Sequence, residues 1–325
     1  MNKKILVSGV KPTGRLHIGN YFGAMKQFVD LQNSGEYETY VFLANYHALN
    51  TMQDREGMQQ SSFDLICAYL AIGLDPKKTV LYKQSALPEH AELAWIFNTQ
   101  TTMPYLMRAH AFKDAEAKSK EINVGTFDYP ILMAADILMY DADVVPVGKD
   151  QKQHVEMTRE IGQKFNRTYN VEIFQDPQEL ILEEVQTVPG IDGQKMSKSY
   201  NNVIPLFGTE EEITKAVMSI TTDSKTPKES KNPEDVIIYQ IYKLVASSQE
   251  QETMRTNLED GGVGYGDLKK ELLRKVLEYF VPMRERYEYF QNNPRKVERV
   301  LEKGAKKARK KAEAKMKQVR EAAGL

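Results

Sequence analysis

The segment Lys195-Met196-Ser197-Lys198-Ser199 brings two ammonium groups and two hydroxyl groups together within five residues. Gly193 lies just before this segment and asparagines follow it. Lysine side chains on a loop can neutralise a triphosphate and follow the pyrophosphate as it leaves. The segment therefore indicates binding and release of a polyphosphate, although a solvated, charged loop fits these residues when they are taken alone.

A second candidate for phosphate binding lies near the amino terminus, between Lys11 and Asn20. It follows a predicted strand at residues 5–10 and leads into a predicted helix from about residue 20 to 33. A helix amino terminus offers free N–H groups to an anion, and glycines let a ligand approach the backbone closely. The sequence has neither G-x-G-x-x-G nor the P-loop pattern here, so the usual support for a dinucleotide or P-loop site is missing. Taken alone, Gly14 and Gly19 fit equally well as glycines that only shape a turn.

Together the two segments resemble the HIGH and KMSKS signatures of class I aminoacyl-tRNA synthetases. They occur here as His17-Ile18-Gly19-Asn20 and as residues 195–199. The asparagine that ends the first signature is typical of the tryptophanyl branch of that family. A third segment, residues 129–138 followed by 145–154, is similar to the amino-acid pocket of the same branch. The resemblance covers nearly the whole chain.

The resemblance implies which residues bind tryptophan. Asp136 would accept a hydrogen bond from the indole N–H, a donor that every other proteinogenic amino acid lacks. Asp136 lies in an apolar run where an unpaired carboxylate would be costly, and without the resemblance a carboxylate satisfied by nearby backbone or a cap is the favoured interpretation. The remaining residues implied for this pocket are Met133, Val145 and Val147 as apolar walls, Tyr129 and Gln151 for the ammonium group, and His47 as a lining residue. His90, His110 and His154 are expected to be structural or surface residues.

The resemblance also implies the nucleotide site. The implied catalytic residues are His17, Asn20, Lys195 and Lys198. The implied ATP-binding residues are Lys11, Pro12, Thr13, Gly19, Asn20, Gly148, Lys149, Asp150, Val188, Lys195, Met196, Ser197, Lys198 and Ser199. Asp150 follows Gly148 at the end of a predicted strand, a usual position for a carboxylate that accepts hydrogen bonds from ribose hydroxyls. No all-protein metal cage is evident, so Mg²⁺ is expected to arrive bound to ATP.

Three positions depart from the pattern that is commonest in bacterial members. Lys11 stands where glutamine is usual, Asn45-Tyr46 where Asp-Gln precedes the histidine, and Lys149 where glutamate is usual. The two lysines make the predicted nucleotide site more positive. These departures put the detailed hydrogen bonding around ATP and tryptophan in doubt, but not the class of reaction.

The elements that would position these residues alternate between strands and helices over the first 200 residues. Short apolar runs predict strands at residues 5–10, 40–44, 79–83 and 144–147. Helical patterns predict helices at about 20–33, 55–72, 89–100, 127–140 and 151–165. This alternation predicts an α/β fold with a Rossmann-like, doubly wound parallel sheet.

Beyond residue 201 the strand signals stop. A capping box at Thr209 and a proline-marked start at Asn232 predict helices, and longer helical patterns cover about 267–289 and 294–323. We therefore predict a catalytic domain at residues 1–200, an all-α anticodon-binding domain at 201–293 and a basic C-terminal helix at 294–325.

Composition and charge fit an ordinary globular protein with an uneven charge distribution. Hydrophobic residues make up 41% and charged residues 27% of the 325 residues, and Cys67 is the single cysteine. One cysteine excludes a disulfide framework, and no apolar run reaches the roughly 20 residues that span a bilayer, so a cytoplasmic location without a membrane is expected. The net charge is −1, yet residues 294–325 carry 12 Lys and Arg against 4 Asp and Glu. Charge alone fits a polyanionic partner or a solvated helix face equally well.

The sequence thus predicts ATP-dependent ligation of L-tryptophan to tRNA(Trp) through a tryptophanyl-adenylate, by an enzyme that the resemblance implies to be a homodimer. Tyrosine activation is the nearest alternative, and the Met-Ala-Ala-Asp context of Asp136 argues against it. A non-catalytic RNA-binding paralogue is a further alternative, against which the intact pair Lys195 and Lys198 weighs.

Overall fold

The computed structural model describes residues 3–12, 14–109, 112–113, 116, 122–181 and 188–325, and of Asp150 it describes the backbone only. The predicted ATP-binding residue Thr13 and the histidine His110 lie outside the described residues.

Five parallel strands form the single sheet of the described chain, in the order β3-β2-β1-β4-β5. The strands are β1 (Lys4–Val10), β2 (Tyr37–Leu43), β3 (Thr79–Lys83), β4 (Val144–Val147) and β5 (Gln178–Ile181). This arrangement confirms the predicted doubly wound parallel sheet. The edge strand β5 was not predicted, because its sequence Gln-Glu-Leu-Ile lacks the continuous apolar run of a strand buried on both faces.

Side chains alternate along the central strands, so the buried core is divided between the two faces of the sheet. Val41 and Leu43 of β2 pack into one cluster of buried residues, and Tyr40 and Phe42 pack into another. Successive side chains of a strand point to opposite faces, so each cluster covers one side. The chain reverses its direction of winding between β1 and β4, and ligands of such folds bind in the crevice beyond the carboxyl ends of those strands.

The helices around the sheet follow the predicted pattern with two exceptions. They are α1 (Ile18–Asn20), α2 (Lys26–Ser34), α3 (Asn45–Ala48), α4 (Arg55–Ile72), α5 (Glu89–Asn98), α6 (Met103–Leu106), α7 (Val124–Leu138) and α8 (Lys152–Tyr169). The first exception is a detail of the predicted helix at 20–33: the chain is helical from Ile18 to Ser34, but a π-helical turn at Tyr21–Met25 lies between α1 and α2. The short helices α3 and α6 were not predicted, since four residues carry too little periodicity to be recognised.

The chain beyond residue 200 is helical wherever it is regular. Its helices are α9 (Glu210–Met218), α10 (Ile237–Val245), α11 (Ser248–Asp260), α12 (Tyr265–Gln291) and α13 (Pro294–Ala323). The predicted capping box of α9 is present, with Thr209 and Glu212 bonded to each other's backbone N–H. Asn232 begins a 3₁₀ turn at Pro233–Asp235 rather than a helix, and α11 was not predicted.

The C-terminal helix α13 packs on the sheet rather than standing apart. Ala305, Ala308 and Ala312 of α13 are buried in the same cluster as Tyr40 and Phe42. Gly304 lies against the edge strand β3, where a Cβ atom would clash with the carbonyl oxygen of Leu81. The predicted division into three domains remains a prediction. None of the described helices is both long enough and apolar enough to cross a membrane.

Candidate active site

A cavity of about 580 Å³ opens at the carboxyl ends of β1 and β4, where the winding of the sheet reverses. It is lined by ten of the residues that the sequence predicted for the site: Lys11, Asn20, His47, Tyr129, Met133, Asp136, Val145, Val147, Gly148 and Gln151. Residues far apart in the sequence therefore meet in one concave and largely apolar space, which suits an aromatic ligand.

Asp136 is the buried carboxylate of this cavity, with 1% of its surface exposed. Its Oδ1 atom accepts a hydrogen bond from Gln84 Nε2 at 2.7 Å and lies 2.6 Å from His90 Nδ1. Its Oδ2 atom lies 2.8 Å from His47 Nε2. The expectation of backbone or cap partners for an isolated buried aspartate is therefore wrong, because the partners are three side chains.

These hydrogen bonds keep the Asp136 carboxylate ionised. Burial alone would raise the pKa of Asp136, but hydrogen bonds and charge interactions with His47 and His90 outweigh burial and hold this pKa below its ordinary value. A carboxylate offers about four acceptor sites. The three contacts within the described chain leave one site, on Oδ2, for a donor in the cavity.

His90 and His154 contribute more to the site than the sequence suggested. His90 is fully buried and bridges Asp136 to the hydroxyl of Tyr140, which lies 3.1 Å from His90 Nε2. His154 is also buried, and its Nε2 lies 2.6 Å from the hydroxyl of Tyr129. No sequence signal reveals these pairs, because each joins two helices that meet only in the folded chain.

Three consecutive residues of α3 are tied to the surroundings of Asp136. The Asn45 side chain donates to Ser85 Oγ at 2.6 Å and accepts from Ser85 N–H at 3.0 Å. Tyr46 N–H donates to Gln84 Oε1 at 3.0 Å. Because His47 lies two residues after Asn45, the Asn45 side chain anchors the turn at Gln84–Ala86 beside the histidine that contacts Asp136, while Tyr46 contributes only its backbone N–H.

The two signature segments lie side by side at the mouth of the site. Ile18 N–H donates to Ile204 O at 3.0 Å, and Met196 N–H donates to Val188 O at 2.9 Å. Gly19 approaches Met196 so closely that a Cβ atom would lie 3.3 Å from that residue's Cβ. Gly14 has φ +74°, a left-handed conformation that favours glycine, and a Cβ atom there would lie 3.9 Å from Lys198 Nζ.

The loop of the second signature is held by a residue that the sequence did not single out. Asn202 is 1% exposed, and its side chain accepts from Ser197 N–H at 2.8 Å and donates to Asp192 Oδ1 at 2.7 Å and to Lys195 O at 3.1 Å. The Ser197 and Ser199 hydroxyls lie 2.8 Å apart. The main chain is thus fixed at Asn202, while Lys195 stays exposed to solvent.

The electrostatics of this region favour a polyanion. Partial burial lowers the pKa of Lys11 and of Lys198, while both side chains stay open to solvent, so a phosphate can reach both ammonium groups. Burial, with the positive charge of Lys198 as the smaller cause, lowers the pKa of His17 to about 4. His17 is therefore neutral near pH 7 and can stabilise phosphate charge only by hydrogen bonding.

Several predicted nucleotide residues lie outside the lining of the cavity. Pro12, Val188 and Met196 are buried, and Lys149 belongs to the 3₁₀ turn at Lys149–Gln151, which follows Gly148. Lys195 and Lys198 are exposed beside the first signature rather than inside the cavity. The cavity thus holds the predicted amino-acid residues together with Lys11, Asn20 and Gly148 of the predicted nucleotide site, and the lysine segment lies outside it.

Comparison with known families identifies the class. The family model described as tRNA synthetases class I (W and Y) matches residues 1–281. This match covers more than half of the chain, so the chain belongs to this class of synthetases. The resemblance noted in the sequence is confirmed.

Individual relatives narrow the family further. The tryptophan–tRNA ligase of Fusobacterium nucleatum subsp. nucleatum is 49% identical over 319 residues, which cover 98% of this chain and 97% of that protein. The tryptophan–tRNA ligase of Rhodopirellula baltica is 43% identical, with 98% and 99% covered. The crystal structure of tryptophanyl-tRNA synthetase from Campylobacter jejuni complexed with ADP and tryptophan matches with a TM-score of 0.93 at 44% identity, covering 99% of this chain and all of that one. Within the class, the chain is a member of the tryptophan–tRNA ligase family.

Proposed function

We propose that the protein activates L-tryptophan with ATP and transfers it to tRNA(Trp) for protein synthesis. The observation that carries this proposal is the ionised Asp136 carboxylate, which keeps one acceptor site for a donor inside an apolar cavity. An indole ring would place its N–H against Oδ2, with Met133 and Val147 beside its faces. Tyr129 and Gln151 also line the cavity and would take the ammonium group.

The first step needs no covalent intermediate with the enzyme. The tryptophan carboxylate attacks the α-phosphorus of ATP, the bond to the β-phosphate oxygen breaks, and pyrophosphate leaves. Positioning and charge stabilisation are the tasks of the protein in such a transfer. Lys195 and Lys198 would neutralise the leaving pyrophosphate, while neutral His17 and the amide of Asn20 would donate hydrogen bonds.

Mg²⁺ would enter with ATP and neutralise part of the phosphate charge. The residues around the signature segments fit ATP phosphates better than a bare cation, because Lys11 and Lys198 supply positive charge there. The ribose hydroxyls would be held near Gly148 and Asp150. We include Asp150 because it follows strand β4 in the sequence, two residues after Gly148.

In the second step the 2′-hydroxyl of the terminal tRNA ribose attacks the adenylate carbonyl, and AMP leaves. The class I signatures imply this hydroxyl rather than the 3′ one.

Charging of tRNA(Trp) for protein synthesis would take place in the cytoplasm, where ribosomes consume the charged tRNA.

Tryptophan-dependent exchange of pyrophosphate into ATP tests the first step directly. We expect exchange with tryptophan and at most weak exchange with tyrosine or phenylalanine. Exchange that depends on tyrosine would favour the tyrosine alternative, and no exchange with any amino acid would favour the non-catalytic one.

We also propose that a second copy of the chain covers a hydrophobic face formed by α3, α5, α6 and the start of α7. Of the ten large hydrophobic residues that are exposed in the described part of the chain, five belong to these elements or directly follow them: Leu49, Trp95, Met103, Met107 and Val124. Trp95 and Val124 are 71% and 79% exposed, and such a concentration of apolar surface marks an interaction site.

Sedimentation of the wild-type protein and of the Val124→Lys variant tests the dimer. The wild type should sediment as a dimer and the variant should dissociate at micromolar concentration, while a monomeric wild type would contradict the proposal. Trp95 is the only tryptophan of the chain, so its fluorescence in the absence of substrate should shift to the red as the wild type is diluted.

A further inference from the structure

Helix α13 carries a continuous row of cations on one side. Arg299, Lys303, Lys306, Lys307 and Lys310 fall within a sector of roughly 100° when successive residues are turned by about 100° around the helix axis. All five side chains are exposed. We call these five residues the basic face. The nearby acids Glu298, Glu302 and Glu313 lie outside this sector.

The cations on the inner side of α13 have a different task, because they attach the helix to the sheet layer. Arg320 forms two hydrogen bonds with Glu92 of α5, at 2.6 and 2.7 Å. Lys315 donates to Ile173 O at 2.8 Å and pairs with Asp141, and Arg309 donates to Ala86 O. Arg320 and Lys315 are therefore paired with carboxylates inside the fold, and Arg309 is bound to a backbone carbonyl.

The basic face, by contrast, has no such partners. Within the described part of the chain, none of its five side chains forms an ion pair or a side-chain hydrogen bond. Five like charges on a rigid helix repel one another, so a solvated structural helix gains nothing from this concentration. The arrangement favours a partner that brings negative charge.

A groove beside the basic face gives that partner a place to lie. A cavity of about 800 Å³ runs between α13 and strand β3. Its lining from α13 includes five cations and one acid, Glu313; the cations are Lys303, Lys306, Lys307, Arg309 and Lys310. Lys77, from the segment before β3, adds a cation from the opposite wall. The groove thus has an apolar floor and a positive rim supplied by two separate elements.

We propose that the basic face of α13, together with Lys77, binds the phosphate backbone of a helical arm of tRNA without reading its bases. This inference rests on the proposed function. From Arg299 to Lys310 the helix rises about 17 Å, which is long enough to face several successive phosphates of one RNA strand. The basic face has no aromatic side chain on which a base could stack, so it suits phosphates rather than unpaired bases.

The packing of α13 argues for RNA over a membrane surface. An interfacial membrane helix buries its apolar side in lipid. The apolar side of α13 is already buried, since Ala305, Ala308 and Met316 pack against the sheet. The outer side that remains presents the five cations of the basic face with Glu302 and Glu313 beside them, and the attraction of these cations to a polyanion depends strongly on salt.

The test compares two triple variants of equal charge. The first, Lys303→Gln/Lys306→Gln/Lys310→Gln, neutralises three positions of the basic face. The matched control, Lys3→Gln/Lys4→Gln/Arg167→Gln, neutralises three exposed cations elsewhere. Binding of tRNA(Trp) and of an unrelated tRNA is measured over a range of KCl concentrations, alongside pyrophosphate exchange and thermal unfolding.

We expect the first variant to bind both tRNAs at least tenfold more weakly at about 0.1 M KCl, with a salt slope reduced by about 3. The control should bind like the wild type, and pyrophosphate exchange should be unchanged in both. A Lys→Arg triple at the same positions should retain binding, because it keeps the charge.

The proposal is overturned if the first variant binds tRNA as the control does, or if it loses affinity for tRNA(Trp) alone. It is also overturned if the Lys→Arg triple loses as much affinity as the Lys→Gln triple. Failure of the proposed function is distinguishable, because wild-type protein would then show no tryptophan-dependent exchange, whatever its affinity for RNA.

Discussion

Replacing Asp136 by asparagine should abolish most of the preference for tryptophan while leaving the pocket in shape. Asparagine has nearly the size of aspartate, but it presents one acceptor oxygen and one NH₂ donor in place of two acceptor oxygens. The surroundings decide which way the amide points. Gln84 offers its NH₂ to Oδ1, and it cannot turn around easily because its own Oε1 accepts from Tyr46 N–H.

The asparagine oxygen must therefore take the Oδ1 position and face Gln84 and His90. Its NH₂ group then occupies the Oδ2 position, opposite His47 and the incoming indole. His47 can adapt, because its Nε2 becomes an acceptor in the other tautomer. The indole N–H has no such freedom, and tryptophan meets a donor where it needs an acceptor.

The cost can be worked out from these contacts. Tryptophan loses a hydrogen bond to a charged group, about 1.5–3 kcal/mol, and leaves its own N–H unpaired for a further 1–3 kcal/mol. Together these terms lower kcat/KM for tryptophan by roughly 10²- to 10⁴-fold. Phenylalanine has no N–H to lose, so its kcat/KM should fall less than about tenfold.

Pyrophosphate exchange with tryptophan, tyrosine and phenylalanine measures the effect. Asp128→Asn is a suitable control, because Asp128 lies in the same helix α7 and outside the cavity lining, and burial already raises its pKa. Asp136→Ala is a less specific test, because it leaves the buried side chains of Gln84, His90 and His47 without their hydrogen-bond acceptor and should lower the stability of the fold. If Asp136→Asn keeps wild-type kcat/KM for tryptophan, the specificity determinant lies elsewhere.

Three further predictions concern other parts of the molecule. Lys195→Ala should lower the kcat of adenylate formation by on the order of a hundredfold or more, with small changes in KM. An unchanged kcat in pyrophosphate exchange would contradict the role of Lys195 in stabilising the leaving pyrophosphate. Histidine NMR should place the pKa of His17 at about 4 in the wild type and at a higher value in Lys198→Gln. Because the unfolded chain takes up this proton at the ordinary pKa of 6.5, His17 should make the free energy of unfolding fall as the pH drops from about 6.5 toward 4. A titration midpoint near 6.5 in the folded protein would show that His17 is not held neutral. Gly304→Ala forces a Cβ atom against Leu81 O and should lower the free energy of unfolding, measured by thermal unfolding, by about 1–3 kcal/mol. Gly23→Ala is the control and should lower it much less, because the space around a Cβ atom at Gly23 is open. Equal melting temperatures for the two variants would contradict the close packing of α13.

The fold was predictable wherever its determinants are local. Helix α4 has the predicted bounds, because Asp54 caps its start by accepting from Gly57 N–H and Gly73 ends it with φ +113°. Strands β3 and β4 also have their predicted bounds, since each is a short, buried apolar run between turns. Edge strand β5 could not be predicted, because half of its residues are polar.

The site was predictable only as far as its residues stand in recognisable segments. Asp136 belongs to such a segment, and the structure places it in the cavity. Gln84 and His90 contact the same carboxylate from 52 and 46 residues away, and neither has a local pattern that marks it. Pairings of this kind arise from the packing of separate elements, so a single sequence carries no sign of them.

The position of α13 has a consequence for how the chain is made. The helix packs on β3, an outer strand of the sheet, and Gly304 reaches the backbone of Leu81 more than 200 residues earlier in the chain. Synthesis runs from the amino terminus, so β3 leaves the ribosome long before its cover exists. Until then its unpaired backbone groups are open to other strands, and unprotected strands of this kind invite association between chains. A nascent chain stalled before residue 304 should therefore need a chaperone, because α13, the helix that covers β3, has not yet been made.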